Sequence, residues 1–125
     1  MKQIISTPNA PAAIGAYSQA VAVNGMLFAS GQLGINPATG DFAGADFASQ
    51  AEQSLKNVKS IVEAAGSSMD KVVKVSVFMA DMADFGTLNQ IYGQYFQAPY
   101  PARSAVAVKT LPKGGLVEIE VIAEL

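Results

Sequence analysis

The spacing of apolar residues in the first third of the chain follows strand and turn rules. Two runs rich in strand-favouring residues lie between Tyr17 and Gln32 and flank Asn24-Gly25. Because Asn-Gly tolerates positive φ at both central positions of a type I′ turn, this stretch predicts a β-hairpin. The segment 34–40 that follows is dense in turn formers and predicts a surface loop.

After residue 44 the apolar spacing becomes helical. Apolar residues at intervals of three and four share one face of a helix. They are Phe47, Ala51, Leu55, Val58, Ile61, Val62 and Ala65. Asp46 suits the N-cap position, and Gly66 suits the left-handed residue that follows a helix C-terminus. We therefore predict a helix over about 47–65.

The second half of the chain predicts three strands and one helix. The run 72–79 is rich in β-branched residues and alternates in polarity, which is typical of a central strand. Its apolar face is predicted to carry Val73, Val75, Val77 and Met79. A second helix is predicted over about 82–96. Two strands follow near 103–108 and 116–123, joined by a turn-rich segment.

The predicted order is strand, strand, strand, helix, strand, helix, strand, strand. In a chain of 125 residues this order is typical of one α+β domain, residues 1–125, with two long helices packed on one face of a mixed sheet. The other sheet face then needs a cover, and we expect partner subunits to supply it. A sheet curled on itself is the alternative.

The amino-acid composition excludes several classes of partner and of chemistry. Only 14% of the residues are charged, the net charge is −2, and no Lys/Arg run exists, so we do not expect nucleic acid as the primary partner. Without His, Cys or Trp, the chain has no disulfide, thiolate nucleophile, Cys/His zinc site or Ser-His-Asp triad. Nucleotide and metal motifs are absent, so no metal or cofactor is expected.

No apolar run in the sequence comes close to the length of a membrane span, which is about 18 residues. We therefore expect a cytoplasmic protein.

Arg103 is the first candidate for chemistry. It begins a predicted strand among small and apolar residues, and its nearest charged neighbour along the chain is Lys109. A guanidinium in such surroundings gains most from a bidentate carboxylate, either of a ligand or of the protein itself. Ala105 and Ala107 share its strand face and leave space above it. A structural arginine paired with Asp or Glu is equally compatible with the pattern.

Glu118 and Glu120 project from one face of the last strand. Two carboxylates about 6 to 7 Å apart could serve as acid and base groups, or they could form a solvated polar face. Three other positions combine polarity with an unusual setting. Tyr17 precedes the hairpin, Ser30-Gly31 ends its second strand, and Asn89 shares a helix face with aromatic residues. A packing or strand-end role is the structural alternative for each of them.

Several of these residues belong to motifs that occur in order along the chain. The motifs are NAPAAIGAYSQA (9–20), SGQ (30–32), NV (57–58), AAG (64–66), PARS (101–104), LP (111–112) and VEIE (117–120). Together they resemble the RidA/YjgF family of enamine/imine deaminases over nearly the whole chain.

The resemblance implies a fold, an assembly and an activity. The implied fold is a chorismate-mutase-like α+β subunit, and the implied assembly is a homotrimer with three sites in the clefts between subunits. The implied reaction hydrolyses reactive 2-imino acids, such as 2-iminobutanoate and 2-iminopropanoate, to 2-oxo acids and ammonia without metal or cofactor. The expected ligands are therefore small 2-imino and 2-oxo carboxylates.

The resemblance also implies roles for individual residues. Arg103 matches the arginine that binds the substrate carboxylate, and Glu118 matches the residue that positions the hydrolytic water. The same cleft is lined by residues that match Tyr17, Ser30, Gly31 and Asn89. Ala105 stands where many members have cysteine, but it keeps the backbone N–H through which that position binds substrate. Ala16 stands where many members have proline.

Two other function classes fit the same fold. One is a non-catalytic module that binds small carboxylates or acts as a chaperone, and the other is an RNA-acting translation inhibitor. The presence of both Arg103 and Glu118 favours the enzyme over the first. The acidic balance of the chain disfavours the second.

Overall fold

The structure, a computed structural model, describes all 125 residues. Its strands are β1 (Gln3–Ile5), β2 (Ala20–Val23), β3 (Met26–Ala29), β4 (Gln32–Leu33), β5 (Val72–Met79), β6 (Ala102–Ala107) and β7 (Val117–Glu124), and its helices are α1 (Phe47–Ala64) and α2 (Phe85–Tyr95). The strands form one sheet in the order β1-β2-β3-β7-β5-β6, with β4 also paired to β7. Only β5 and β6 are parallel, so the predicted mixed sheet is confirmed.

The predicted hairpin and the predicted first helix are confirmed in detail. Asn24 and Gly25 have φ angles of 51° and 74°, which is the positive-φ pair of a type I′ turn. The carboxylate of Asp46 accepts a hydrogen bond from the Ser49 backbone N–H at 3.0 Å and caps α1. Gly66 follows the helix with φ 84°, as expected for its C-terminal cap.

Both helices pack on the same face of the sheet. The core between them and the strands includes Leu27, Leu55, Val58, Ile61, Val75, Val77, Met79, Leu88, Ile119 and Val121. No helix covers the opposite face, which we call the open face. There Ile4, Phe28 and Val106 expose large apolar side chains, because alternate residues of a strand point to opposite sides. None of the helices combines the length and apolar character that a membrane crossing requires.

The predicted facing of Val73 is wrong. The register between β5 and β7 shifts between Val72 and Lys74, which is the signature of a β-bulge. The bulge turns Val72 toward the helices, where it is 5% exposed, and leaves Val73 40% exposed. From Val75 onward the predicted alternation holds.

A second bulge lies between β3 and β4. Phe28 pairs with Ile122, and Gln32 pairs with Ile119. Between these two pairs the chain advances four residues from Phe28 to Gln32, while β7 spans only three. The extra residue falls at Ser30-Gly31, where the hairpin strand was predicted to end. It continues instead as β4, and the break in the ladder exposes backbone next to β7.

Candidate active site

Arg103 lies on β6, at the edge of the sheet, and faces the helices. It pairs with Val75, which is buried under the helices, and paired residues point to the same side of a sheet. Its Nη1 donates a hydrogen bond of 2.9 Å to Oδ1 of Asn89. The guanidinium carbon also lies 4.7 Å from the ring centre of Tyr92 and 5.3 Å from that of Phe85. Its side-chain partner is therefore an amide rather than the Asp or Glu of a structural ion pair.

A cavity of about 440 Å³ adjoins this arginine. It is lined by Asn89, Tyr92, Gly93, Tyr100, Pro101 and Arg103. A guanidinium carries five N–H donors in a planar fork, and Asn89 accepts from Nη1 alone. The remaining donors are free to bind a carboxylate in the bidentate manner that Arg favours.

Glu118 lies over Gly31, across the bulge of the neighbouring strand. A Cβ atom at Gly31 would stand 2.8 Å from Cδ and 2.9 Å from Cγ of Glu118, which is closer than real Cβ atoms approach other atoms. Glycine therefore leaves the space that this carboxylate occupies. Burial, and secondly the negative charge of Glu120, raise the pKa of Glu118 above its usual range.

Ser30 and Tyr17 lie beside the same bulge. The Ser30 hydroxyl donates to the Ser18 carbonyl at 2.7 Å, and its backbone N–H donates to the Gln19 carbonyl at 2.9 Å. These bonds join the bulge to the segment that carries Tyr17, whose side chain is exposed. Ser30, Gly31 and Glu118 thus form one group, which we call the bulge group, and Tyr17 lies in the segment that is bonded to it.

The buried side chain of Gln19 holds the start of this segment. Its Nε2 donates to the Pro11 carbonyl at 2.8 Å and to the Thr7 carbonyl at 3.1 Å. Its Oε1 accepts from the Thr7 backbone N–H at 2.7 Å. A buried amide with these partners is satisfied, so the chain is fixed shortly before Tyr17.

The bulge group and Arg103 lie on opposite faces of the sheet. Glu118 pairs with Phe78, which pairs in turn with Val106 of the open face. Arg103 shares the helix face with Asn89 and with Ala105, which packs against the core. A single chain therefore brings the predicted site residues together as two groups and does not bring Arg103 to Glu118.

The reactive groups available are a guanidinium, a half-buried carboxylate, hydroxyls and backbone N–H groups. No group of three or more Asp, Glu, His or Cys side chains gathers where it would hold a metal ion. A second groove of about 370 Å³ lies beside the C-terminal ends of the helices. It contains none of the candidate polar residues.

Sequence reasoning assigned Phe85 and Tyr92 to packing and did not predict their contact with Arg103. Tyr100 and Gly93, which line the cavity, were also missed. The available signal was the spacing of Phe85, Asn89 and Tyr92, which share a helix face with a polar residue at its centre. Which strand this face meets depends on the pairing of β5 with β6, and no local pattern reveals it.

Comparison with known proteins covers the chain almost completely. The family profile described as endoribonuclease L-PSP matches residues 7–125. A protein of Bos taurus named 2-iminobutanoate/2-iminopropanoate deaminase is 52% identical over 123 residues, covering 98% of this chain and 90% of that protein.

Two solved structures agree with this match. The crystal structure of RidA from the Antarctic bacterium Psychrobacter sp. PAMC 21119 is 50% identical, covers 98% of this chain and 99% of that one, and has a TM-score of 0.95. The structure of E. coli TdcF with bound serine is 48% identical, covers 98% of each chain, and has a TM-score of 0.94.

Proposed function

The chain belongs to the endoribonuclease L-PSP family, the family also called RidA/YjgF, and on this premise we propose that it is a hydrolytic deaminase of small 2-imino acids. It converts 2-iminobutanoate and 2-iminopropanoate to the corresponding 2-oxo acids and ammonia. One observation carries the proposal beyond the family match. Arg103 adjoins a cavity and is bound to a neutral amide, so it has donors left for a carboxylate.

Arg103 binds the carboxylate that every 2-imino acid carries. Two parallel N–H···O bonds fix both the position and the plane of that group. The imine carbon is directly attached to it, so the reacting atom is fixed as well. The serine bound to E. coli TdcF is likewise an α-substituted carboxylate, which supports a site of this kind.

Glu118 orients the attacking water and accepts its proton. The water oxygen bonds to the imine carbon while the C=N electron pair moves to nitrogen, which takes up a proton. Glu118 passes the water proton to that nitrogen, then takes the hydroxyl proton of the resulting carbinolamine and transfers it to the amino group, so that the C=O bond forms as the C–N bond breaks and ammonia leaves. Glu118 returns to its starting state, and its raised pKa makes it a better proton acceptor at neutral pH than an ordinary carboxylate.

The other candidate residues complete the binding cleft. The Ala105 backbone N–H and the Asn89 amide lie on the Arg103 side, and we assign the Tyr17 phenol and the Ser30-Gly31 backbone to the Glu118 side. An imine is already electrophilic, especially when protonated, so orientation and modest acid-base assistance are enough. No group beyond these side chains, the backbone and water is needed.

The working site lies between two copies of this chain. Arg103 and Glu118 occupy opposite faces of one sheet, so a cleft that holds both takes Arg103 from one subunit and Glu118 from its neighbour. The exposed apolar side chains of the open face, Ile4, Phe28 and Val106, support burial of that face. We assign a chorismate-mutase-like homotrimer with three such clefts.

An RNA substrate is disfavoured although the family description mentions an endoribonuclease. The net charge is −2, and no basic run exists. Affinity for a polyanion comes largely from neutralised phosphates. A non-catalytic carboxylate-binding role remains the second candidate, and the presence of both Arg103 and Glu118 favours the enzyme over it.

A competition assay with semicarbazide tests the proposal. An amino-acid dehydratase generates 2-iminobutanoate, semicarbazide traps it, and an active deaminase lowers the yield of semicarbazone. We expect Arg103→Ala and Glu118→Ala each to lower kcat/KM by at least about 100-fold. Lys56→Ala and Glu63→Ala change exposed charges on α1 and serve as controls with full activity. An Arg103→Ala protein that is folded and fully active would overturn the proposal.

A further inference from the structure

One face of α2 is built around the Arg103 side chain. Phe85, Asn89 and Tyr92 follow one another at intervals of four and three residues, so their side chains lie on the same face of the helix. All three contact the guanidinium of Arg103. No other side chain makes a hydrogen bond or a cation–π contact with it.

The two aromatic contacts are within the range of cation–π attraction. The guanidinium carbon lies 4.7 Å from the Tyr92 ring centre and 5.3 Å from the Phe85 ring centre, and attraction is significant within about 6 Å. Asn89 binds Nη1 at 2.9 Å. Two rings and one hydrogen bond therefore restrain a side chain that is otherwise among the most flexible in proteins.

The ring of Tyr92, rather than its hydroxyl, makes this contact. The hydroxyl is buried and has no hydrogen-bond partner. Burial raises the pKa of the Tyr92 phenol above its usual range, and the positive charge of Arg103 acts in the opposite direction but more weakly. The phenol is therefore neutral at physiological pH and forms no phenolate pair with the arginine.

We infer that Phe85 and Tyr92 are positioning residues that hold the Arg103 guanidinium in the orientation in which it receives the substrate carboxylate. The inference rests on the proposed function. An arginine fixed in advance loses little freedom when the carboxylate binds, so the rings strengthen substrate binding without touching the reacting atoms. Asn89 fixes the rotation of the guanidinium plane by holding one of its nitrogens.

Replacing each ring by a branched aliphatic side chain tests this inference. In Tyr92→Leu and Phe85→Leu we expect KM for 2-iminobutanoate and Kd for 2-oxobutanoate to rise about 2- to 30-fold. We expect kcat to change by less than about threefold, because the rings do not contact the reacting atoms. Tyr92→Phe keeps the ring, so its KM for 2-iminobutanoate and its Kd for 2-oxobutanoate should equal those of the unchanged protein.

The chain offers a matched structural control. Phe47 of α1 is as buried as Tyr92, both at 6% exposure, and it makes no contact with Arg103. Phe47→Leu should lower Tm, as we also expect of the other two aromatic replacements, and leave KM unchanged. A rise of KM in Phe47→Leu equal to that in Tyr92→Leu would overturn the inference, since the effect would then be a general loss of stability.

A double-mutant cycle with Arg103→Lys separates the inference from the proposed function. Lysine lacks the planar group that stacks on the rings, so Tyr92→Leu and Phe85→Leu should raise KM little further in that background. An equal rise of KM in both backgrounds would overturn the inference alone. An Arg103→Lys protein with unchanged KM would overturn the proposed carboxylate site itself. Phe85 is only half-buried, so its replacement disturbs the core less. Phe85→Leu therefore provides the same test if Tyr92→Leu does not fold.

Discussion

At the scale of single residues, any side chain at position 31 would occupy the volume that the Glu118 side chain fills. The three atoms nearest to a Cβ at Gly31 all belong to the Glu118 side chain, at 2.8 to 3.1 Å. A side chain yields more easily than backbone, so Gly31→Ala should fold and displace the carboxylate. We expect kcat/KM to fall by about 10- to 100-fold, the range that misplacement of a catalytic group produces, and Tm to change by only a few degrees.

The Glu118→Ala background isolates the cause of this loss. If Gly31→Ala acts by displacing the carboxylate, it should have no further effect once that carboxylate is gone. Steady-state kinetics of the two single variants and the double variant measure this coupling. Additive losses would indicate that Gly31 serves the site in another way, for example through its backbone N–H.

The pH dependence of activity follows from Glu118 as well. Burial and then the charge of Glu120 raise its pKa, and the ionised form is the one that accepts the water proton. Activity should therefore fall as the pH drops through this raised pKa. Glu120→Gln removes the like charge, so we expect the pKa of Glu118 to decrease and the acidic limb to move to lower pH. Carbon-13 NMR of the glutamate carboxyl groups measures the pKa directly, and an unchanged value would contradict the coupling.

The same shift has a defined sign for stability. A carboxyl whose pKa is raised by folding holds its proton more tightly in the folded than in the unfolded chain. Its contribution to stability is therefore greatest below the unfolded pKa and is lost as the pH rises through the raised, folded value. Glu118 thus weakens the fold at the pH at which it is active, as expected of a functional rather than a structural carboxylate.

At the scale of elements, local patterns predicted the helices and the turn but not the bulges. The span of α1 follows from apolar spacing and its caps, both of which are encoded in consecutive residues. The bulges at Val72-Val73 and at Ser30-Gly31 arise from mismatched pairing with β7. Strands distant in sequence set that mismatch. The facing of Val73 was consequently mispredicted, and the bulge that carries Gly31 was interpreted as a strand end.

Within the candidate site as well, some residues could be predicted from local sequence and others depend on packing between distant segments. Arg103 was predictable because a lone charge among small residues is unusual within a short stretch of sequence. Glu118 and Glu120 were equivalent in the strand pattern, and only the resemblance to a family distinguished them. The close approach of Glu118 to Gly31 gives a physical basis for that choice. The rings around Arg103 depend on the packing of α2 over β6, which no single segment encodes.

A polar row on α1 supports the strand that follows the second bulge. The buried Asn57 amide donates to the carbonyls of Leu33 and Ile35 at 3.1 and 2.9 Å, and the Ser54 hydroxyl donates to the Gln32 carbonyl at 2.6 Å. These side chains satisfy backbone groups that the interrupted ladder leaves free. Helix α1 therefore holds β4, and with it the bulge group, in place.

Replacing Asn57 by alanine should weaken the fold strongly. The buried bond to the Ile35 carbonyl and the half-buried bond to the Leu33 carbonyl would be lost, which costs about 3 kcal/mol of unfolding free energy in total. Ser60→Ala on the same helix removes a hydroxyl that bonds only the Lys56 carbonyl at the surface, and it should change stability by no more than about 0.5 kcal/mol. Urea denaturation measures both variants. Equal stabilities would show that β4 does not depend on this amide.

At the scale of the whole molecule, the separation of Arg103 and Glu118 makes the proposed site a property of the assembly. Their side chains leave opposite faces of one sheet, so no rearrangement short of unfolding the sheet brings them together in one chain. In the proposed trimer, closure would bury the open face and create three equivalent clefts at once. Binding of substrate and assembly should therefore be linked, with ligand favouring the oligomer.

Two inactive variants should restore activity when they are combined in one oligomer. In a hybrid of Arg103→Ala and Glu118→Ala chains, some clefts receive Arg103 from one subunit and Glu118 from the next, and these clefts are intact. With random mixing in a closed ring, about a quarter of all clefts take the intact pair. Co-refolding of differently tagged chains, with native mass spectrometry to verify hybrids, provides the sample, and the semicarbazide assay provides the activity. Hybrids without activity would mean that each chain supplies both residues to its own site, which the geometry of a single sheet opposes.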